Sequence, residues 1–203
     1  MIRANIRQNI QLFDEYGVII NHYKSEKQEQ FAALKHIKPH DVVLELGARY
    51  GSVSCVIDKI LLDGSKLVSV EPDKTVWNAL KRNRDINECK FHIVEGLVSK
   101  KMLNLTGSGY GTTTYFDINS KIPHFELEEI ENKFGLKFTT LIADCEGCLE
   151  QFIKENMNFI NELSTILYEV DYKEKCNYDE IHKILTSFNF TKISDGFIKV
   201  YKK

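Results

Sequence analysis

The run Glu45-Leu46-Gly47-Ala48-Arg49-Tyr50-Gly51 places a carboxylate directly before a Gly-x-x-x-Gly turn. Gly47 lets the backbone come close to a ligand, and Gly51 allows tight packing where a helix begins. The middle glycine of the Gly-x-Gly-x-x-Gly dinucleotide turn is missing, and no Walker lysine follows. An acid at Glu45 repels a pyrophosphate and suits a cationic ligand, one with an ammonium or sulfonium group. Glu71-Pro72 ends the next apolar run. It stands about 20 residues past the glycine turn, where the ribose-binding acid of such folds is found. Further on, Asp144-Cys145-Glu146-Gly147 and then Glu169 supply three more carboxylates, again after apolar runs. Carboxylates gathered at one cleft push some of their pKa values up, which suits general-base chemistry.

These residues need a scaffold that brings strand ends together. Short β-prone runs occur at 42–46, 66–70, 91–94, 138–143 and 165–170, with two more at 189–193 and 197–201. Helical patterns lie between them at 52–62, 74–87 (Trp77 and Leu80 inward), 125–135, 148–160 and 178–188. Strands alternating with helices predict an α/β fold with a mostly parallel sheet covered on both faces. In such a sheet the carboxyl ends of the strands share one rim. Glu45, Gly47, Ala48, Gly51, Glu71, Pro72, Glu95, Gly96 and Asp144 are then expected to form a cofactor site. Asp144, Glu146 and Glu169 are the expected catalytic acids. In this order the elements favour an S-adenosylmethionine site over a bare structural turn.

The chain has 203 residues, 43% of them hydrophobic and 28% charged, with a net charge of −2. These values fit one globular domain over 1–203 and weigh against a nucleic-acid partner. Residues 1–37 read as a helical extension. Ile2, Ile6, Ile10 and Phe13 fall at helical spacing, and a second helix over 25–37 has Ser25 as its N-cap. Residues 95–137 read as a long insertion, a substrate loop or a flexible excursion, carrying the Gly- and Thr-rich stretch 106–114. No apolar run reaches the roughly 18 residues of a membrane span. The start of the chain has Arg3 and Arg7 but no apolar block, and five cysteines are an odd number. Together these predict free thiols and a cytoplasmic protein. Cys145-x-x-Cys148 lacks the further ligands of a structural zinc and reads as small packing residues around the turn. A divalent ion on Asp144, Glu146 and Glu169 is conceivable, but no metal is expected. Among the histidines, His124 could reach a substrate, whereas His92 reads as a packing residue.

Glu-Leu-Gly-Ala-x-x-Gly (45–51), Glu-Pro (71–72) and Asp-Cys-Glu-Gly (144–147) resemble the motifs of the FkbM-type methyltransferases. Leu127 to Leu136 matches the helix that precedes the last motif, and Leu167 with Glu169 approximates the strand end that follows it. The resemblance covers about residues 26–193. It implies a Rossmann-like methyltransferase fold with a seven-stranded sheet, S-adenosylmethionine as cofactor, and O-methylation of a sugar, glycan or small metabolite. Arg49 stands where the family has Asn, and Ile142 where many members have Lys. The second departure keeps open an inactive cofactor-binding module, and a nicotinamide oxidoreductase is a more distant alternative.

Overall fold

The computed structural model describes residues 2–24 and 26–203. Its centre is a seven-stranded sheet. In chain order the strands are β1 (Val43–Leu46), β2 (Leu67–Glu71), β3 (His92–Glu95), β4 (Thr140–Ala143), β5 (Thr165–Glu169), β6 (Thr191–Asp195) and β7 (Ile198–Lys202). Across the sheet they run 3-2-1-4-5-7-6. β7 alone is reversed, antiparallel to both β5 and β6, while β1 to β5 pair in parallel. The order turns back between β1 and β4, which makes the crevice above that pair the topological switch point of an open α/β sheet.

Strand side chains alternate between faces, and the two faces bury separate cores. Val43, Leu67, Ile142 and Leu167 pack with helices α1 (Lys27–His36) and α2 (Ser52–Ile60). Leu44, Leu46, Leu141 and Ile166 pack with α4 (Leu127–Phe134), α5 (Leu149–Glu155), α6 (Met157–Glu162) and α7 (Tyr178–Ser187). Helix α3 (Trp77–Ile86) lies between β2 and β3 in the chain.

Three local expectations are revised, and a fourth lies outside the described residues. Ser25 lies outside the described residues, and Glu26 is the residue ahead of α1. The first segment is a 3₁₀ helix over Ile2–Asn9, followed by a short hairpin of Leu12–Phe13 with Ile19–Ile20. The backbone at 11–13 is held extended by Asn83 on α3 and by Asn87 just past its end. Asn87 Oδ1 accepts from Gln11 N at 2.9 Å and Asn87 Nδ2 donates to Gln11 O at 2.8 Å. Asn83 grips Phe13 in the same two-bond way. Side chains that imitate a neighbouring strand hold the segment extended, a contact that local periodicity does not register. The helix expected over 148–160 breaks at Asn156, whose side chain turns back to the Phe152 carbonyl at 2.8 Å. Finally, Cys145 and Cys148 are joined in a disulfide, whereas Cys55, Cys89 and Cys176 are unpaired and buried. The expectation of free thiols therefore holds for three of the five. Among the described residues no helix is long and apolar enough to cross a membrane.

The insertion between β3 and β4 carries its own secondary structure. Leu97–Val98 pairs with His124–Phe125, and Leu103–Thr106 forms a hairpin with Thr113–Phe116. α4 closes it, opened by a Glu126–Glu129 capping box and ended at Gly135 with φ 64°.

Candidate functional site

A cavity of about 510 Å³ opens over the carboxyl ends of β1, β2 and β4. Its floor includes Gly47, Glu71, Pro72 and Asp144, and its roof is the 103–116 hairpin. The volume lies within the range of cofactor and small-molecule pockets.

The glycine turn is fixed by backbone bonds. Gly47 N and Ala48 N both donate to the Val70 carbonyl, and Asp144 N reaches across to the Leu46 carbonyl at 3.0 Å. Gly47 has φ 90°, and a Cβ there would overlap the Asp144 carbonyl oxygen. The glycine is thus required by the close approach of the β1 and β4 ends. Ala48 is buried, and Gly51 packs against Leu80 and Phe91, so both shape the turn without lining the cavity.

Glu71 sits at the tip of β2. Its Oε2 accepts from Arg49 N at 2.6 Å and its Oε1 from Asp73 N at 2.7 Å, which fixes the carboxylate against the wall. Burial pushes its pKa up to about 7 against the pull of those two bonds. A carboxylate held in this way can accept from a vicinal diol.

Glu45 does not reach the rim. Period-two alternation turns it with Val43 toward α2, and its Oε2 accepts from Ser54 on that helix at 2.5 Å and from Ser69 on β2 at 2.6 Å. It is buried, with a pKa raised to about 7 by that burial. Ile142 is its register neighbour on β4 and is buried on the same face. Position 142 shares its face with Asp144, two residues on, and the isoleucine there packs into the core below the cavity. Glu95 also turns away and pairs with Lys81 at 2.5 Å. Gly96 donates its N–H to the Glu71 carbonyl and lies against the Pro123 backbone. The cavity wall beyond β3 is formed instead by Leu97 and Val98.

The ends of β4 and β5 carry four carboxyl groups in two hydrogen-bonded pairs. Asp144 pairs with Glu169, and Glu146 with Asp171. Burial raises both members of the first pair, and the Asp144 charge drives Glu169 higher still, so the shared proton rests on Glu169. Burial and the Asp144 and Asp171 charges raise Glu146 to about 8. Asp144 and Glu146 line the cavity, whereas Glu169 stands behind Asp144. Asp171, not singled out as a site residue from sequence, takes the place expected for Glu169. Its carboxylate lies with those of Asp144 and Glu146 within 4.8 Å of one another, a set that could hold a metal ion. Tyr178 donates its hydroxyl to Asp171 at 2.5 Å and holds it there.

Arg49 joins the turn to the roof. Its φ is 42°, its Nη1 donates to the Gly109 carbonyl at 2.8 Å, and its guanidinium lies over the rings of Tyr50 and Tyr110. Lys175 bonds the Thr113 hydroxyl from the other side. His124 is a pin at the base of the hairpin. Its Nε2 accepts from Leu103 N at 2.8 Å, which leaves the ring proton on Nδ1 facing the Ile122 carbonyl at 2.8 Å. Both nitrogens are committed, so His124 is not a substrate contact. His92 stacks on Phe134, as a packing residue does.

No protein-family model matches the chain, and no curated protein matches it by sequence. Solved structures do match it in fold. Precorrin-6y C5,15-methyltransferase from Geobacter metallireducens superposes with a TM-score of 0.60 at 12% identity, over 96% of this chain and 99% of that one. The fold is that of the Rossmann-like methyltransferases. Fibrillarin from Aeropyrum pernix, solved with natively bound S-adenosyl-L-methionine, matches at TM-score 0.53 and 15% identity, over 90% of this chain and 76% of that one. Ribosomal protein L11 methylase from Lactobacillus delbrueckii subsp. bulgaricus matches at 0.52 and 12%, over 86% and 76%. The α/β architecture and sheet expected from sequence agree with this methyltransferase fold. The cavity is at its switch point, and its donor set suits a cationic nucleoside: a fixed acid for a diol, apolar Leu97 and Val98 beyond it, and carboxylates on the opposite side.

Proposed function

We propose that the protein is an S-adenosylmethionine-dependent O-methyltransferase acting on a hydroxyl of a sugar, glycan or small metabolite, with no nucleic-acid partner. One observation carries the reading. Gly47, Glu71 and the Asp144–Glu146 segment follow three different strands, yet they border one cavity at the switch point. The FkbM-type motifs at 45–51, 71–72 and 144–147 support it. The three buried unpaired cysteines favour a cytoplasmic setting, and the Cys145–Cys148 disulfide counts against it.

Bound S-adenosylmethionine would supply a methyl group on a positively charged sulfur. Glu71 would hold the ribose hydroxyls, and Leu97 and Val98 would flank the adenine. An alcohol must give up its proton as its oxygen takes the methyl, so an O-methyl acceptor needs a base within hydrogen-bond reach. Glu146 is placed for that task because it lines the cavity, and with a pKa raised toward the working pH its ionised fraction is a stronger proton acceptor than an ordinary carboxylate. The roof residues Tyr110, Tyr115 and Phe116 would cover an acceptor and keep water out.

The test is transfer of labelled methyl from S-adenosylmethionine to a panel of nucleoside diphosphate sugars, glycans and small hydroxylated metabolites. Wild-type protein is expected to label at least one acceptor. Glu146→Gln should lose transfer while keeping affinity for S-adenosylhomocysteine, and Glu71→Ala should lose that affinity by at least tenfold. Unchanged affinity in Glu71→Ala, or binding of a nicotinamide cofactor in its place, would refute the reading.

A further inference from the structure

The segment ahead of the sheet sends one side chain into the cavity. Glu26 immediately precedes α1 and has φ 48° and ψ 34°, the left-handed region that non-glycine residues rarely adopt. Its carboxylate takes the Ser52 hydroxyl at the start of α2 and lines the cavity together with Gly47 and Asp144.

We infer that Glu26 binds the ammonium group at the amino-acid end of S-adenosylmethionine. This rests on the cofactor reading proposed above. The sheet tells the two ends of the ligand apart. Glu71 at the tip of β2 is the diol acid, and Leu97 and Val98 continue the wall past β3, so the adenosine belongs on the β2–β3 side. The rest of the ligand must then extend over β1 toward β4. Gly47 and Asp144 flank that path, and Glu26 stands with them. Without a cation, the Glu26 carboxylate is disfavoured as an anion. Burial raises its pKa to about 8, and the charges of Asp144 and Glu45 add to the rise. An ammonium group replaces the missing countercharge with a charge-assisted hydrogen bond in a partly desolvated site. The left-handed backbone at 26 is held where it aims the acid at that point, as strained residues at ligand sites often are.

Two ligands separate this inference from the cofactor reading. S-adenosylhomocysteine has the amino-acid end; 5′-methylthioadenosine has the same adenosine and sulfur without it. Calorimetric titration of Glu26→Gln is expected to show at least a tenfold loss of affinity for the first and less than a twofold change for the second. Retained binding of the second also shows that the variant is folded. Glu26→Asp, which keeps the charge one methylene back, should recover part of the loss, whereas Glu71→Ala should weaken both ligands. Equal effects of Glu26→Gln on the two ligands, or none on either, would overturn the Glu26 assignment and leave the cofactor reading standing. Failure of the wild-type chain to bind either ligand would overturn both.

Discussion

The Arg49 guanidinium lies 4.5 Å from the centroid of the Tyr110 ring and so joins the turn after β1 to the hairpin that roofs the cavity. The Tyr50 ring, 4.6 Å away, is a second partner, and the bond to the Gly109 carbonyl fixes the orientation. A cation over an aromatic face contributes about 0.5–1 kcal/mol at exposed sites. Arg49→Asn keeps a residue that tolerates the left-handed backbone and removes these contacts. Amide hydrogen exchange over 103–116 should quicken, and the acceptor KM should rise severalfold. Affinity for S-adenosylhomocysteine should stay nearly constant, because the residue 49 N–H still reaches Glu71. Unchanged exchange would show that the roof is held without Arg49.

Gly47 and Gly17 make a controlled comparison. Both have positive φ, 90° and 82°, but an added Cβ meets the Asp144 carbonyl at the first and nothing within 4 Å at the second. Gly17→Ala should cost the backbone strain alone, about 1–2 kcal/mol. Gly47→Ala must in addition push apart the ends of β1 and β4, and should cost at least about 3 kcal/mol. Urea denaturation midpoints of the two variants check the difference.

The buried acids set the pH dependence of the ligand-free protein. Glu26 and Glu146 are raised to about 8, and Glu45 and Glu71 to about 7, from an ordinary value of 4.5. Between these limits the folded chain retains protons that the unfolded chain has released. Stability is therefore fully present below pH 4.5 as far as these groups are concerned, and falls as pH rises toward 8. Thermal scans from pH 5 to 8.5 should show a falling Tm, with S-adenosylmethionine protecting more strongly at the alkaline end. A Tm that rose across this window would contradict the placement of these acids.

The disulfide of Cys145 with Cys148 holds the turn that carries Asp144 and Glu146. Closing so short a loop constrains the unfolded chain by about 2 kcal/mol in the loop-entropy picture. Reduction by dithiothreitol, which takes the disulfide to two thiols as the dithiol is oxidised, should lower Tm by roughly 4–8 °C for a chain of this size. The Cys145→Ser/Cys148→Ser double variant should reproduce the shift and no longer respond to reductant. An unchanged Tm in both would show that backbone bonds alone, such as Cys148 N to the Cys145 carbonyl, fix the turn.

Much of the scaffold was legible in the chain itself. Apolar runs such as Val43–Leu46 and Thr165–Glu169 carry their own period and propensity, and the glycines that stop them are local signals. That Gly47, Glu71 and Asp144 end strands follows from the same local pattern, and a parallel sheet then gathers them on one rim. Which acids enter the cavity was decided only by the tertiary structure. Glu45 and Glu71 share one face of the sheet, because Glu45 is the register partner of Ser69, yet Glu45 stops one level below the rim and is bound by Ser54 and Ser69, while Glu71 at the strand tip reaches the cavity. Glu169 yields its place beside Glu146 to Asp171, two residues on, where the chain has left β5. Glu26 reaches the same cavity from an extension outside the sheet, and Asn83 and Asn87 hold residues 11–13 extended where local spacing continues a helix. Period and propensity act over a few neighbours and can be read along the chain. Side-chain direction at a rim, and contacts between residues tens of positions apart, depend on register and packing that exist only once the sheet has closed.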